Sequence, residues 1–390
     1  MSMTKFPLFL LSGFILLPFA GYPKNFDEGP PIDPANLSLR NEVKRSVERG
    51  VKWLAAKQEK EGRWGDEEYP ALTALAVRAI LGEPASGDRF QAQLDKGFAF
   101  ILSNARSDGG LYGRGLASYN TSICMMALLQ AKEPKYEPII RKARNFLVNQ
   151  QSDFDKRGES DNVFDGGIGY GARWAHSDLS NTHLAMEALF YSKKMLERSE
   201  GEDFELDWEA AINFVGRCQN LSQSNKQEWV SEHPDDRGGF IYFPGSSMAG
   251  ERESSNDDGP KKLRSYGSMS YAGLLSFIYA EMKPEDKRVQ AAREWINAHY
   301  SVKENPGMGE QGLFYYYHTM AKALDLSGIK QVKKPDGTKA DWRRDLAKKL
   351  FDMQQPDGSW VNENGRWWER DPVLVTAYAL LTLERIYYGL

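Results

Sequence analysis

The chain has 390 residues, of which 41% are hydrophobic and 27% charged, with 35 Gly, 10 Trp, 18 Tyr and 19 Phe. This balance excludes a disordered, collagen-like or disulfide-stapled chain. The 50 basic and 54 acidic side chains exclude the strongly basic surface with which nucleic-acid binders neutralise phosphates, so no nucleic-acid partner is expected.

In chain order, Lys5 precedes the apolar run FPLFLLSGFILLPFA, which ends at Ala20. One cation before a short apolar stretch is the pattern of a secretory signal peptide, and the run is short for a membrane span of about 20 residues. Residues 1–20 are therefore expected to be a signal peptide cleaved near Gly21, giving an exported protein, with an uncleaved membrane anchor as the alternative. No Cys follows the run, which argues against a lipidated N-terminus. Residues 21–39 are Pro-rich and read as a linker, leaving 40–390 as the folded body. The two cysteines, Cys124 and Cys218, lie outside any CxxC or metal-ligand spacing and read as small buried hydrophobes, although one disulfide between them remains open.

The body repeats itself. A Thr or Ser opens an Ala/Leu-rich helical stretch at Thr73, Ser122, Thr182, Ser270, Thr319 and Thr376, at intervals of about fifty residues with insertions. Glycine-aromatic turns precede most of these stretches: Gly62-Arg63-Trp64, Gly110-Leu111-Tyr112, Gly239-Phe240, Gly312-Leu313-Phe314 and Gly358-Ser359-Trp360. Before the turns lie amphipathic stretches with apolar residues at helical spacing, as in Val51, Leu54 and Ala55, or Leu346, Leu350 and Met353. The unit is thus helix, glycine turn, helix. Six units predict an all-α protein of about twelve helices, and a closed ring of helix pairs leaves no raw edge.

Two turns read Gln-x-x-x-Gly-x-Trp, at Gln58 to Trp64 and at Gln354 to Trp360. They resemble the QW motif of squalene and oxidosqualene cyclases, and with the six units the chain resembles the prenyltransferase/squalene-oxidase repeat family from about Arg40 onward. The resemblance implies an α/α toroid whose inner helices line a central cavity, with the Gln and Trp side chains bracing the outer layer. It also implies a small-molecule or lipid-like ligand in that cavity. Membrane association is compatible with such a ligand but carries no signal of its own.

If the six markers are equivalent, residues four and one before each share a helical face. That face collects Tyr69, Asp178, Asn181, Tyr266, Tyr315 and His318, with His183 beside Thr182 and Asp371 just before the last inner helix. Asp178 and His318 are the candidate proton carriers, and Asn181, His183, Tyr266, Tyr315, Tyr69 and Asp371 the candidate ligand contacts. Each also has a structural reading. Asp178 and Asp371 suit helix N-caps, His318 a core histidine bonded to a carbonyl, and the tyrosines filling of the ring.

The family's catalytic sets are incomplete here. Squalene-hopene-type cyclases protonate through Asp-x-Asp-Asp-Thr, and the matching stretch is Asp178-Leu179-Ser180-Asn181-Thr182, with Ser180 where the central acid belongs. Prenyltransferase β subunits bind zinc through an Asp-x-Cys pair and a His. The pair falls on Tyr266 and Ser268 and leaves only His318, so neither a zinc site nor another cofactor is expected. Three functions remain open: a terpene cyclase-like enzyme or carrier acting on a polyisoprenoid by other residues, a polysaccharide lyase or hydrolase on an α/α toroid, and a noncatalytic binding scaffold.

Overall fold

The computed structural model describes residues 33–85, 87–171, 176–196, 204–252 and 260–390. Residues 1–20, expected to be a signal peptide, and most of the charged insertion after Glu251 lie outside the described residues. Twelve helices follow one another: α1 (Leu37–Ala56), α2 (Pro70–Leu81), α3 (Gln91–Ser103), α4 (Ala117–Ala131), α5 (Glu137–Val148), α6 (Leu179–Leu196), α7 (Trp208–Arg217), α8 (Gly267–Tyr279), α9 (Lys287–Ala298), α10 (Leu313–Leu326), α11 (Trp342–Met353) and α12 (Pro372–Gly389). The first begins at Leu37, ahead of Arg40. A short antiparallel pair, Val332–Lys333 with Lys339–Ala340, and a few isolated bridges such as Gln151 with Ile168 add to the helical plan.

The even-numbered helices form the inner ring. α2 packs on α4, α4 on α6, α6 on α8, α8 on α10, α10 on α12, and α12 returns to α2. Odd-numbered helices lie outside. Composition explains the division: α2 buries every residue from Pro70 to Ile80, whereas α1 buries one stripe containing Leu39, Val43, Val47, Val51 and Leu54. A helix apolar all round is stable only between neighbours, and a striped one only at a surface.

The ring is stitched at both ends of each pair. In the two QW turns the glutamine amide bridges layers: Gln58 Nε2 donates to Gly62 O at 2.9 Å and Gln93 O at 2.8 Å, and Gln354 Nε2 donates to Gly358 O at 2.9 Å and Ser46 O at 3.0 Å. The second bond reaches α1 and closes the outer layer. Trp64 and Trp360 are buried and donate Nε1–H to Leu54 O and Leu350 O. Gln151 and Gln219 make the same double bridge, to Gly166 and Asp207 and to Gly238 and Arg288. Sequence reading missed these two because inserted residues separate each Gln from its glycine. Gly62 and Gly358 have φ of +90° and +99°, and a Cβ there would lie 2.5 Å from Lys96 O and 2.6 Å from Arg49 O.

Inside, a hydroxyl near the start of most inner helices accepts the turn's N–H: Thr73 from Trp64, Thr182 from Ile168, Ser270 from Phe240 and Thr376 from Trp360. In the second unit the acceptor is Thr121, bonded to Leu111 N at 2.9 Å, so the equivalent position is Thr121 and not Ser122. In the fifth unit Thr319 bonds Tyr315 O within its own helix.

Candidate functional site at the mouth of the ring

An inner helix begins with N–H groups that no earlier turn can satisfy. Here the starts are satisfied mostly by groups from the next unit. Ala71 N donates to Asn120 Oδ1, Ser118 N to Tyr170 O, Leu179 N to Tyr242 O, Gly267 N to Pro306 O, and Tyr315 N to Glu369 Oε1. These links gather all six helix starts at one end of the ring, its mouth, with their partial positive charge.

Asp178 lies at the centre of this arrangement as the residue before α6. It is fully buried, and its Oδ1 accepts Asn181 N at 2.8 Å while Oδ2 accepts Asn181 Nδ2 at 2.8 Å. Burial pushes its carboxyl up to about 7, against the downward pull of the bonds from Asn181, Ser180 and the Tyr242 hydroxyl. Four half-buried tyrosines, Tyr119, Tyr170, Tyr242 and Tyr315, cluster near it: Tyr170 and Tyr242 interact with its carboxyl, and the Tyr119 ring lies 6.5 Å from that of Tyr170. Tyr170 OH lies 3.5 Å from Tyr242 OH, and its phenol is pushed up to about 12 by burial and by Asp178. Tyr315 OH lies 3.4 Å from Ser180 Oγ, and its ring is 6.0 Å from that of Tyr378 and 6.3 Å from His183. Tyr266 is buried at the start of α8, its phenol raised by burial and then by Tyr315 and Asp178.

The remaining sequence candidates divide between the rim and the depth. The Tyr69 ring lies 4.7 Å from that of Trp368 at a tilt of 53°, and Asp371 caps α12 by accepting Val373 N at 2.8 Å. Trp367 and Trp368, both at positive φ, are 43% and 48% exposed. His183 Nδ1 pairs with Ser180 O at 2.7 Å, and burial and Lys322 hold its imidazole down to about 4. His318 stacks on Tyr378 at 5.5 Å, one turn deeper than Tyr315, and burial with the Lys322 and Arg78 charges holds it well below the ordinary value. The structure thus brings Asp178, Asn181, Tyr266 and Tyr315 together. It sets His318 beneath them, turned towards a buried charged tier.

Sequence reading missed Tyr119, Tyr170, Tyr242 and Tyr378. Tyr119 and Tyr378 stand two residues either side of the hydroxyls Thr121 and Thr376, and the first was obscured by the misplaced marker. Tyr170 and Tyr242 sit in the turns before inner helices, where Gly169 and Gly171, and Gly239, were the available signals. It also missed Glu369, buried and raised by that burial, which accepts Phe314 N, Tyr315 N and Asn362 Nδ2 and so caps α10.

Among the described residues no three His, Cys, Asp or Glu side chains converge as metal ligands, and no helix is long and apolar enough to cross a membrane. Cys124 and Cys218 are buried free thiols.

The fold and the parallel inner helices define this protein as an α/α toroid. No protein-family profile matches the chain and no curated protein matches it in sequence. Among solved structures it is similar to the type II terpene cyclase MstE from Scytonema in complex with geranylgeranyl dihydroxybenzoate, with a TM-score of 0.55 and 11% identity over 90% of this chain and 99% of that one. It is similar as well to the GH76A α-1,6-mannanase from Salegentibacter, with a TM-score of 0.57 and 11% identity over 88% of this chain and 98% of that one. A possible GH105 member from Salmonella enterica gives 0.51 and 11% over 91% and 96%. At these identities the likeness is one of fold.

Proposed function

We propose that the chain binds a polyisoprenoid-type ligand at the mouth of its ring and protonates it from Asp178. One observation carries this reading: a fully buried carboxyl, pushed up to about 7 by its burial, lies beside a cluster of four half-buried tyrosines. An alkene is a very weak base, so it needs a carboxylic acid held in the protonated form, and aromatic faces then stabilise the cation that results. Asn181 orients the Asp178 carboxyl through its two bonds. Tyr266 and Tyr315 shape the ligand's position, while His318, one turn deeper, takes up the proton a cation loses when it collapses to an alkene. The acid would then come from the position of Asp178 rather than from that of Ser180. The MstE complex, whose ligand is a geranylgeranyl compound, supports this substrate class on a related ring.

The second reading, a polysaccharide lyase or hydrolase, draws support from the mannanase likeness. Glycoside hydrolysis needs two working carboxyls; Glu369, a second buried carboxyl at this end, is occupied by three hydrogen bonds as a cap, and buried Asp236 is held by Arg252 and the Ser265 N–H. The test offers purified protein squalene, geranylgeranyl dihydroxybenzoate and α-1,6-mannan. Mass spectrometry should find a cyclised isomer of a polyisoprenoid, absent with Asp178→Asn although that variant still binds the substrate. Binding of neither polyisoprenoid, or an equally active Asp178→Asn, would refute the reading, and cleavage of mannan would replace it by the second.

A further inference from the structure

Below the mouth, the ring carries a second tier of polar groups that the chemistry above does not use. Arg78 is the ninth residue of α2, Glu187 the ninth of α6 and Lys322 the tenth of α10. They therefore lie at one level, about 12 Å below the helix starts at 1.5 Å per residue. Lys322 Nζ pairs with Glu187 Oε2 at 2.7 Å, and both side chains are 3% exposed. Arg343 and Arg385 share Asp325 at 2.6 and 2.8 Å, near the ends of α10 and α12.

Arg78 is the unmatched one. Its Nε donates to Gln130 Oε1 at 3.2 Å, and among the described residues no carboxylate lies within ion-pair distance of its guanidinium. Glu384 on α12 makes no ion pair with it either: both of its buried carboxyl oxygens lack a hydrogen-bond partner, and burial and the neighbouring Glu83 push its carboxyl well above the ordinary value. The Tyr279 hydroxyl from α8 is buried without a hydrogen-bond partner, and the Glu187, Tyr191, Arg385 and Arg78 groups all act on it. Arg78 and His318 are each 7% exposed, so neither side chain is wholly sealed from solvent. The positive field of this tier also shows in its neighbours. Lys322 is pushed down to about 8, chiefly by burial, with Arg78 and Arg385 adding to it, and His318 is driven neutral.

A buried cation without a counter-charge costs several kcal/mol. We propose that Arg78, Lys322 and the Tyr279 hydroxyl form an anion site on the ring axis that takes a carboxylate or phosphate group, so that the ligand is an acidic amphiphile with its anionic end held here. An arginine fork, an ammonium and a hydroxyl are complementary to a multi-oxygen anion, and in this low-dielectric setting such bonds are strong. The inference rests on the preceding reading only for the ligand's apolar part. The anion site itself can be tested without any polyisoprenoid, so failure of one does not entail failure of the other.

The test is titration of the full chain with inorganic phosphate and, separately, with acetate at pH 7.5, read by calorimetry and by melting temperature. A saturable rise in melting temperature is expected. Response to phosphate alone assigns a phosphate ester, and response to acetate as well assigns a carboxylate. Arg78→Gln should weaken the affinity about tenfold or more, while Arg78→Lys retains part of it. Since Arg78→Gln removes a buried uncompensated charge, the anion-free variant should melt no lower than the parent, which separates loss of the site from loss of the fold. No saturable response of the parent to either anion, or an unchanged affinity in Arg78→Gln, would overturn the proposal.

Discussion

Two buried groups at neighbouring positions titrate in opposite senses. Asp178 has its carboxyl raised from 3.8 to about 7, so between those values the folded chain holds a proton that the unfolded chain has released. Its contribution to stability is complete below about pH 4 and is lost as pH rises through 7. His183 is lowered from 6.5 to about 4, so its contribution is present at neutral pH and is lost as pH falls through that window. Asp178→Asn removes the first trend and leaves the second. Relative to the parent, the variant should gain stability between pH 5 and 7.5 by roughly 1–4 kcal/mol, one pKa unit being worth 1.36 kcal/mol at most. Urea unfolding of both proteins across that range measures it, and parallel profiles would show that Asp178 does not carry a raised pKa. The carboxyl's role as a helix cap is compatible with its proposed role as an acid, since the bonds that cap α6 also orient it.

Single glycines decide how helix pairs join. Gly358 combines φ of +99° with a Cβ position 2.6 Å from the backbone oxygen of Arg49, so Gly358→Ala meets both backbone strain and a collision that no side-chain rotation relieves. A loss of about 1–3 kcal/mol or more is expected from the conformation alone. Thermal denaturation measures the effect, and an unchanged melting temperature would contradict the geometry of the seam between α11 and α1. The capping acids Asp207, Asp286 and Asp341, which bond Ala210 N, Arg288 N and Arg344 N, begin three of the outer helices in the same economical way.

The closed ring makes its last helix a structural necessity. α12 packs against α1, α2, α10 and α11, and Arg385 on it pairs with Asp325 of α10. Deleting residues 372–390 exposes the apolar faces of α2 and α10 together and opens the inner layer. An open repeat array would tolerate loss of a terminal helix with a modest drop in stability. The ring should instead lose its cooperative thermal transition, and a truncated chain that still melts sharply near the parent temperature would argue that the units are independent.

Periodicity and turn chemistry in the sequence determined the helical repeat, the number of units, the layer each helix joins and the two complete QW turns, because these depend on residues close together in the chain. The alternation of all-apolar and striped helices could be read directly from stretches such as residues 70–81 and 37–56. Distance between partners hid the rest. The Gln151 and Gln219 bridges are split by insertions, Thr121 takes the place expected of Ser122 because one residue shifts the helix by about 100°, and Tyr170 and Tyr242 reach Asp178 only when two turns from separate units meet. Asp178 and His318 were both visible as polar residues on inner helices, yet their separation into an acid at the mouth and a neutral histidine over a cationic tier was decided by depth along the ring axis. Arg78 gave no signal at all in sequence, where it reads as one polar residue in an apolar helix. Only closure of the ring, which sets helices from all six units around one axis, brings it to face Lys322 and Tyr279, and charge balance across a buried interior is a property of that arrangement.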